Sequence, residues 1–134
     1  VSLATPGPGG GAEPALRAVA TVVAAEVGAK AGMGVLACLG SPAHEGLGSR
    51  LVAVNGVRDL PGVALVAIPA TLLLGGDGFV PLLAVVLAGP TTALALGRWA
   101  RGRLGGVSGD VFGAANELGR LAGLHVGVIA WTLW

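Results

Sequence analysis

The chain has 134 residues, of which 54% are hydrophobic and only 11% are charged. Soluble domains carry about 25% charged residues, so this composition favours a membrane protein and excludes a coiled coil or a charged disordered segment. The net charge of +1 argues against a nucleic-acid-binding surface, and the single cysteine, Cys38, excludes an intrachain disulfide.

The first 14 residues contain the Pro- and Gly-rich run TPGPGGGAEP and lack the basic and apolar regions of a signal peptide. We expect a loop or linker over residues 1–14 and one membrane-embedded domain over residues 15–134. The chain begins at Val1, and its only methionine, Met33, lies inside an apolar stretch. It is therefore expected to be a piece of a longer protein.

Four apolar stretches follow, at about residues 18–40, 60–74, 79–96 and 121–134. A helix rises 1.5 Å per residue and the hydrocarbon core of a bilayer is about 30 Å thick. The third stretch is therefore long enough to span, and the second and fourth are marginal. The sequence predicts an all-α, multi-pass helix bundle with about four transmembrane helices.

The connections between these stretches predict the orientation in the membrane. With four spans, the connections at about residues 41–59 and 97–120 lie on one side, and the short turn that holds Asp77 lies on the other. The first side carries five arginines: Arg50, Arg58, Arg98, Arg101 and Arg103. By the positive-inside rule that side faces the cytoplasm, which predicts a cell-membrane protein with its polar loops in the cytoplasm.

Small residues recur at four-residue spacing within two of the apolar stretches. The two series are Ala24, Gly28, Gly32 and Gly119, Gly123, Gly127. Small side chains at this spacing let helix backbones approach closely in lipid, so we expect both series to pack against neighbouring helices.

Two ionisable residues, Glu26 and Lys30, lie four apart inside the first apolar stretch and share one helical face. A charge at that depth costs about 2.5 to 3.5 kcal/mol on insertion scales. Two interpretations stay open: the residues neutralise each other within the bundle, or Lys30 faces a polar cavity and holds an anionic group while Glu26 orients it.

The loop SPAHEGLGS contains His44, Glu45, Gly46 and Gly48. His44 beside Glu45 is a candidate general base or metal ligand, although a solvated loop histidine is the commoner case.

The stretch GGVSGDVFGAANE, residues 105–117, is a glycine-rich turn that enters a helix. Such a turn leaves backbone N–H groups free for phosphate oxygens, and Ser108 is placed to cap the helix. Asp110 and Glu117 lie two turns apart on one face, about 10.5 Å along the axis, and Mg²⁺ is usually held by one or two carboxylates plus substrate phosphates. The alternative is a close-packed helix start on Gly105, Gly109 and Gly113, with Asp110 complementing the helix dipole.

These two motifs resemble those of one family. GGVSGDVFGAANE resembles the C-terminal signature of the cobalamin synthase family, and AEVGAKAGMGVLACLGSPAHEGLGS resembles its middle region. The resemblance covers about residues 18–134. Phe112, Lys30, His44 and Arg120 depart from the residues common in the family. The family's acidic Asp-Gly-x-x-Asp-x-x-Asp motif has no counterpart here, so the chain is expected to be the C-terminal half.

The resemblance implies transfer of the adenosylcobinamide-phosphate part of adenosylcobinamide-GDP to α-ribazole or its 5′-phosphate, with release of GMP and with Mg²⁺ as cofactor. It implies Asp110 as a metal ligand, with Glu117 as a second, and Glu45 as a residue that orients the loop or accepts a proton. Lys30 and one of Arg98, Arg101 or Arg103 balance the pyrophosphate charge. The backbone amides of residues 105–109 would cradle the pyrophosphate, which makes Gly105, Gly106, Ser108 and Gly109 candidate binding residues. The other candidate binding residues are Gly113, Asn116, Gly46, Gly48 and His44.

The expected partners are the two substrates, the lipid bilayer and other membrane enzymes of cobalamin assembly, with no nucleic acid. Without the acidic motif, this chain alone is expected to be inactive. Two alternatives remain from other functional classes. A transporter or channel half would place Asp110 near mid-depth in the membrane, and a non-catalytic membrane subunit would use its glycines only for helix packing.

Overall fold

The computed structural model describes residues 12–134, apart from the side chain of Leu47. The predicted loop over residues 1–14 therefore lies outside the described residues, except for its last three. Those three residues belong to the first helix, which begins at Ala12, so the helical domain starts earlier than residue 15.

The described residues form a bundle of five α-helices without a β-strand, which confirms the all-α prediction. The helices are α1 Ala12–Leu39, α2 Leu47–Val54, α3 Leu60–Thr71, α4 Phe79–Leu104 and α5 Gly109–Leu133. Short 3₁₀ turns at Val57–Asp59 and Gly76–Gly78 lead into α3 and α4.

Two of the described helical segments are long and apolar enough to cross a membrane: α1 and the segment Gly76–Leu104 that contains α4. A third span is formed if Gly48–Val54 and Val57–Thr71, which meet at 77°, are one broken crossing. Helix α5 has 25 residues, which is ample length, but its first half is too polar for it to qualify by composition. Length and composition thus support two or three of the four expected spans.

Two helices extend beyond the apolar stretches for local reasons. Helix α4 continues through its arginines to Leu104 and ends where Gly105 takes a left-handed conformation, at φ 81°, which favours glycine. Helix α5 begins at Gly109, as the predicted Ser108 cap indicates, and the Ser108 hydroxyl accepts a hydrogen bond from the Val111 amide at 3.4 Å.

Helices α1, α4 and α5 pack closely on one another, and α3 lies against α1 and α4. At the α1–α4 crossing, a Cβ atom on Gly28 would lie 2.6 Å from the Val86 carbonyl oxygen, and one on Gly32 would lie 2.7 Å from that of Gly89. A Cβ on Gly89 would overlap the backbone of Gly28. The predicted small residues of both series are buried in these contacts, as expected: Ala24, Gly28, Gly32, Gly119, Gly123 and Gly127.

The connections meet at the two ends of the bundle as the topology predicts. The Val107 amide donates to the Ser41 carbonyl oxygen at 2.7 Å, and the Ala43 amide donates to that of Val107 at 2.9 Å. At the opposite end, the Trp134 indole donates to the Asp77 carbonyl oxygen at 3.0 Å. The two arginine-bearing connections therefore share one end, called the loop end below. That this end faces the cytoplasm stays a prediction.

Candidate functional site

The two sequence motifs lie in contact at the loop end. Gly48, near the start of α2, is buried against the beginning of α5, where a Cβ would lie 2.9 Å from the Ser108 Cα. Gly106, at φ 147°, lies against the backbone of Ser41 and Pro42, which leaves no room for a side chain. The loop that precedes α2 and the glycine-rich turn that precedes α5 thus form one structural unit.

Within the first motif, Gly46 and Ser49 fix the start of α2. The Gly46 amide donates to the Ser49 hydroxyl at 2.9 Å, and that hydroxyl donates to the Gly46 carbonyl oxygen at 2.7 Å. His44 and Glu45 are exposed, with His44 Nδ1 2.9 Å from the Glu45 carbonyl oxygen. The Glu45 carboxylate has no ion-pair partner within the described part of the chain. Glu45 follows two residues after Ala43, whose backbone amide is hydrogen-bonded to Val107 in the glycine-rich turn.

The backbone amides of the glycine-rich turn divide into two groups. Those of Gly105 and Gly106 donate to the Ala100 carbonyl oxygen, and that of Val107 donates to Ser41. Among the described residues, no hydrogen bond engages the amides of Ser108, Gly109 and Asp110. The free N–H groups are therefore at the cap and in the first turn of α5, where a helix attracts anions, rather than along the whole of residues 105–109.

Three glycines at the loop end, unlike Gly48 and Gly106, have open surroundings. Within the described residues, a Cβ on Gly105, Gly109 or Gly113 would meet no atom within 4 Å. This contradicts the alternative in which these three glycines close-pack the start of the helix. Gly113 is exposed beside Asp110, one helical turn along α5.

The two candidate metal-binding carboxylates differ in their contacts. Asp110 is exposed, and it forms no ion pair with any described residue. Glu117 pairs with the Arg120 guanidinium at 3.0 Å and accepts a hydrogen bond from the Asn116 amide at 3.3 Å. No group of three or more metal-binding side chains occurs in the part of the chain that the structure describes. One or two carboxylates suit Mg²⁺, which takes its other ligands from phosphates and water.

A polar cluster links α1 to α5 and extends inward from the loop end. Lys30 Nζ donates to Asn116 Oδ1 at 2.6 Å and lies 3.7 Å from Glu26 Oε2. Arg120 pairs with both Glu26 and Glu117. We call Glu26, Lys30, Asn116, Glu117 and Arg120 the α1–α5 cluster. It holds two carboxylates and two cations, so its charges balance.

The α1–α5 cluster contains elements of both interpretations of the intramembrane charges. Glu26 and Lys30 do pair, but Glu26 has a closer ionic partner in Arg120, which sequence reasoning did not assign to the site. The three-residue spacing of Glu117 and Arg120 was an available signal. The Lys30 side chain is 59% exposed, and with Glu26 it lines a cleft of about 730 Å³ between α1 and α3 that Asn55 and Asp59 also line. Lys30 therefore both pairs and faces a cavity.

The three candidate arginines of α4 are separated. Arg98 and Arg101 line a different cleft, of about 570 Å³, which includes Gly106 and Val107 and shares no residue with the Lys30 cleft. Arg103 is exposed and lies two residues beyond Arg101, about 200° around the helix. Of the three, Arg103 alone is on the opposite face of α4 from the second cleft.

Comparisons with known proteins agree on one family. A family model described as cobalamin-5-phosphate synthase matches residues 10–128. An adenosylcobinamide-GDP ribazoletransferase of Halorubrum lacusprofundi is 50% identical over 129 residues, covering 96% of this chain and 49% of the relative. Relatives of the same name from Halobacterium salinarum and Haloquadratum walsbyi are 48% and 45% identical, covering 90% and 84% of this chain and 59% and 44% of their own length. The chain spans about half the length of these relatives, and no solved structure matches it significantly.

Proposed function

The chain belongs to the cobalamin-5-phosphate synthase family, and we propose that it supplies the C-terminal part of the active site of an adenosylcobinamide-GDP ribazoletransferase. In this reaction a hydroxyl of α-ribazole, or of its 5′-phosphate, attacks the phosphorus that is attached to cobinamide. A new phosphorus–oxygen bond forms, the bond to the GMP oxygen breaks, and GMP leaves. The hydroxyl proton passes to a base. This is the nucleotide-loop assembly step of vitamin B12 biosynthesis.

The observation that carries the proposal is the open surface at the start of α5. Among the described residues, it combines a carboxylate without an ion-pair partner, Asp110, with free amides of the first turn and glycines whose missing side chains leave room for a ligand. The loop with Glu45 lies against it through Gly48 and Ala43. Transfer at phosphorus depends mainly on positioning and on neutralising charge on the phosphate oxygens, and these groups are suited to both tasks.

These contacts support the following proposed roles, which the family resemblance suggests. Asp110, with Glu117 as a second ligand, would hold Mg²⁺, which supplies positive charge to the phosphate oxygens when bound. The first-turn amides at Gly109 and Asp110 would bind a phosphate oxygen, and the open face at Gly113 would admit the diphosphate. Ser108 keeps these amides in place as the helix cap. Glu45 would orient the loop or take the proton from the attacking hydroxyl, with His44, Gly46 and Gly48 shaping the same loop.

Charge balance for the diphosphate would come from Lys30 and from Arg103. Lys30 is held by Asn116 at 2.6 Å and faces the cleft between α1 and α3. Among the arginines at the end of α4, Arg98 and Arg101 line the separate cleft, so Arg103 is the one that we propose for this role.

The placement of Asp110 also bears on the transporter alternative, which expects it near mid-depth. Asp110 lies in the first turn of α5 at the loop end, where a cytoplasmic substrate would arrive. We propose that this end faces the cytoplasm in the cell membrane, where other membrane enzymes of cobalamin assembly would be partners. The chain alone would be inactive, and turnover by the purified 134-residue chain would refute that.

The experiment uses the full-length protein that carries this chain, in detergent or liposomes. It is incubated with adenosylcobinamide-GDP, α-ribazole and Mg²⁺, and GMP release is followed. Asp110→Asn is expected to lower turnover on the order of 10²-fold or more, the loss typical of removing one key electrostatic group. Asp77→Asn, at the opposite end of the bundle, is the matched control and should stay within about twofold.

The result separates the alternatives. GMP release that requires both α-ribazole and Mg²⁺ and is lost in Asp110→Asn would support the transferase and this site. Unchanged activity and Mg²⁺ dependence in Asp110→Asn would overturn the site. No release from a well-folded protein would overturn the transferase.

A further inference from the structure

One face of α4 carries an apolar stripe that ends in two arginines. Its residues follow each other at spacings of three or four, so they lie on one side of the helix. They are Leu83, Leu87, Pro90, Leu94, Arg98 and Arg101. The arginines are at the loop end, and the leucines continue to Leu83, near the opposite end of α4. The stripe is therefore cationic at one end and apolar along the rest, which complements an amphiphile with an anionic headgroup.

The part of this face nearest the loop end, called the upper part, is the cleft of about 570 Å³ that Arg98 and Arg101 line. Neither guanidinium has a carboxylate within 4.0 Å among the described residues. The Ser41 side chain, at the rim, is exposed. The walls below these polar groups are apolar and include Leu36 and Leu94. At Gly97 the Leu36 side chain packs directly on the α4 backbone, because a Cβ there would lie 2.6 Å from that side chain.

The lower part is a second cleft, of about 310 Å³, between α1, α3 and α4. Its lining is almost wholly apolar and includes Val35, Ile68, Leu83, Leu87 and Pro90. From Leu83 to Leu94 the helix rises about 16.5 Å at 1.5 Å per residue. One leaflet contributes about half of a 30 Å hydrocarbon core, so the apolar part of the stripe matches one acyl chain in length.

From this arrangement we propose that the two clefts together bind one anionic phospholipid, with its phosphate at Arg98 and Arg101 and an acyl chain along Leu94, Pro90, Leu87 and Leu83. Basic pockets between membrane helices attract anionic headgroups, and guanidinium groups bind phosphate well. A soluble phosphate gains nothing from the apolar cleft, and a zwitterionic lipid has no net charge to complement two arginines that lack a carboxylate partner in residues 12–134. The cleft borders the glycine-rich turn at Gly106 and Val107, but the lipid proposal does not rest on the proposed transferase reaction.

The test measures lipid retention by the full-length protein that carries this chain. The protein is mixed with phosphatidylglycerol or phosphatidylcholine in detergent, and bound lipid is counted by native mass spectrometry. Each arginine near an anionic headgroup is worth about a fivefold change in affinity, so Arg98→Gln with Arg101→Gln should weaken phosphatidylglycerol binding about 30-fold. The matched control is Arg58→Gln, an exposed arginine at the same end outside both clefts, which should bind as the unchanged protein does.

Three results would overturn the lipid site: equal retention of phosphatidylcholine, unchanged phosphatidylglycerol binding by the double variant, or full competition by millimolar inorganic phosphate. The last would mark a site for a soluble anion. A second measurement needs no variant. Phosphatidylglycerol with a photoreactive group in its acyl chain should label peptides that contain Leu83–Leu94, and labelling confined to other helices would contradict the proposal.

Discussion

Glycine serves two different purposes in two regions of this bundle. At the α1–α4 crossing, Gly28, Gly32 and Gly89 lie against backbone atoms of the facing helix. At the start of α5, Gly109 and Gly113 face open space within the described residues. In the first region, glycine allows two helix backbones to pack in contact. In the second region, the missing side chains leave the helix surface accessible. Spacing alone does not distinguish these uses, because both regions show glycines four residues apart.

The largest expected effect is in the packed region. Gly89→Ala places a methyl group on the backbone of Gly28, so α1 and α4 must separate, and we expect a loss of about 3 kcal/mol or more in the free energy of unfolding. Gly102→Ala, in the same helix with nothing within 4 Å, is the control and should leave stability nearly unchanged. Unfolding in mixed micelles measures both. Equal stability of the two variants would show that Gly89 is not needed for close packing of α1 and α4, contrary to this comparison.

The next effect concerns charges between the packed helices. Glu26→Gln leaves Arg120 with Glu117 as its one carboxylate partner among the described residues, so we expect a lower free energy of unfolding. Adding Arg120→Gln should recover part of that loss, which a double-mutant cycle measures as a coupling between the two positions. Glu13→Gln, in the exposed pair with Arg17 at the other end, should cost less than about 0.5 kcal/mol. Purely additive losses would show that the α1–α5 cluster does not act as a unit.

A smaller effect is expected at the boundary of the open region. Ser108→Ala removes the hydroxyl that caps α5 and should cost about 1 kcal/mol of stability, whereas Ser108→Thr keeps the cap and should lose less. Thermal unfolding of both variants in detergent tests this difference. If alanine and threonine behave alike, the cap contributes nothing at this position.

The smallest effect has the opposite sign. Gly113→Ala fills open space on an exposed helix face, so stability should rise by up to about 1 kcal/mol, while GMP release by the full-length protein should fall. A clear loss of stability would mean that Gly113 packs against something, and the contrast between the two regions would then fail.

The sequence predicts the parts of this fold that depend on pattern. The spacing of Gly28 and Gly32 indicates close packing, and the alternation of apolar stretches indicates which connections share an end. It does not show by hydropathy that α5 extends back to Gly109, because the first half of the helix is polar, and only the Ser108 capping signal indicates that start. It also does not predict that α2 and α3 meet at 77°, a bend that depends on the packing of α3 against α1.

The candidate site shows the same division. The motifs around Gly48 and Ser108 were predicted to belong to one site, and the structure brings them into contact. The contact between Glu26 and Arg120 joins residues far apart in sequence, so no local spacing identifies it. The separation of Arg98 and Arg101 from Arg103 follows from helix geometry, but the cleft that receives the first two depends on α1.

The backbone pairing of Ser41 and Ala43 with Val107 has a consequence for biogenesis. It joins chain segments on either side of α2, α3 and α4, and contacts across long loops form only after the loop-closing entropy has been offset by other packing. The two halves of the loop end therefore come together only after the intervening helices have inserted. A chain that is still inserting into the membrane has not yet formed the surface at the start of α5. Formation of that surface therefore indicates that insertion is complete.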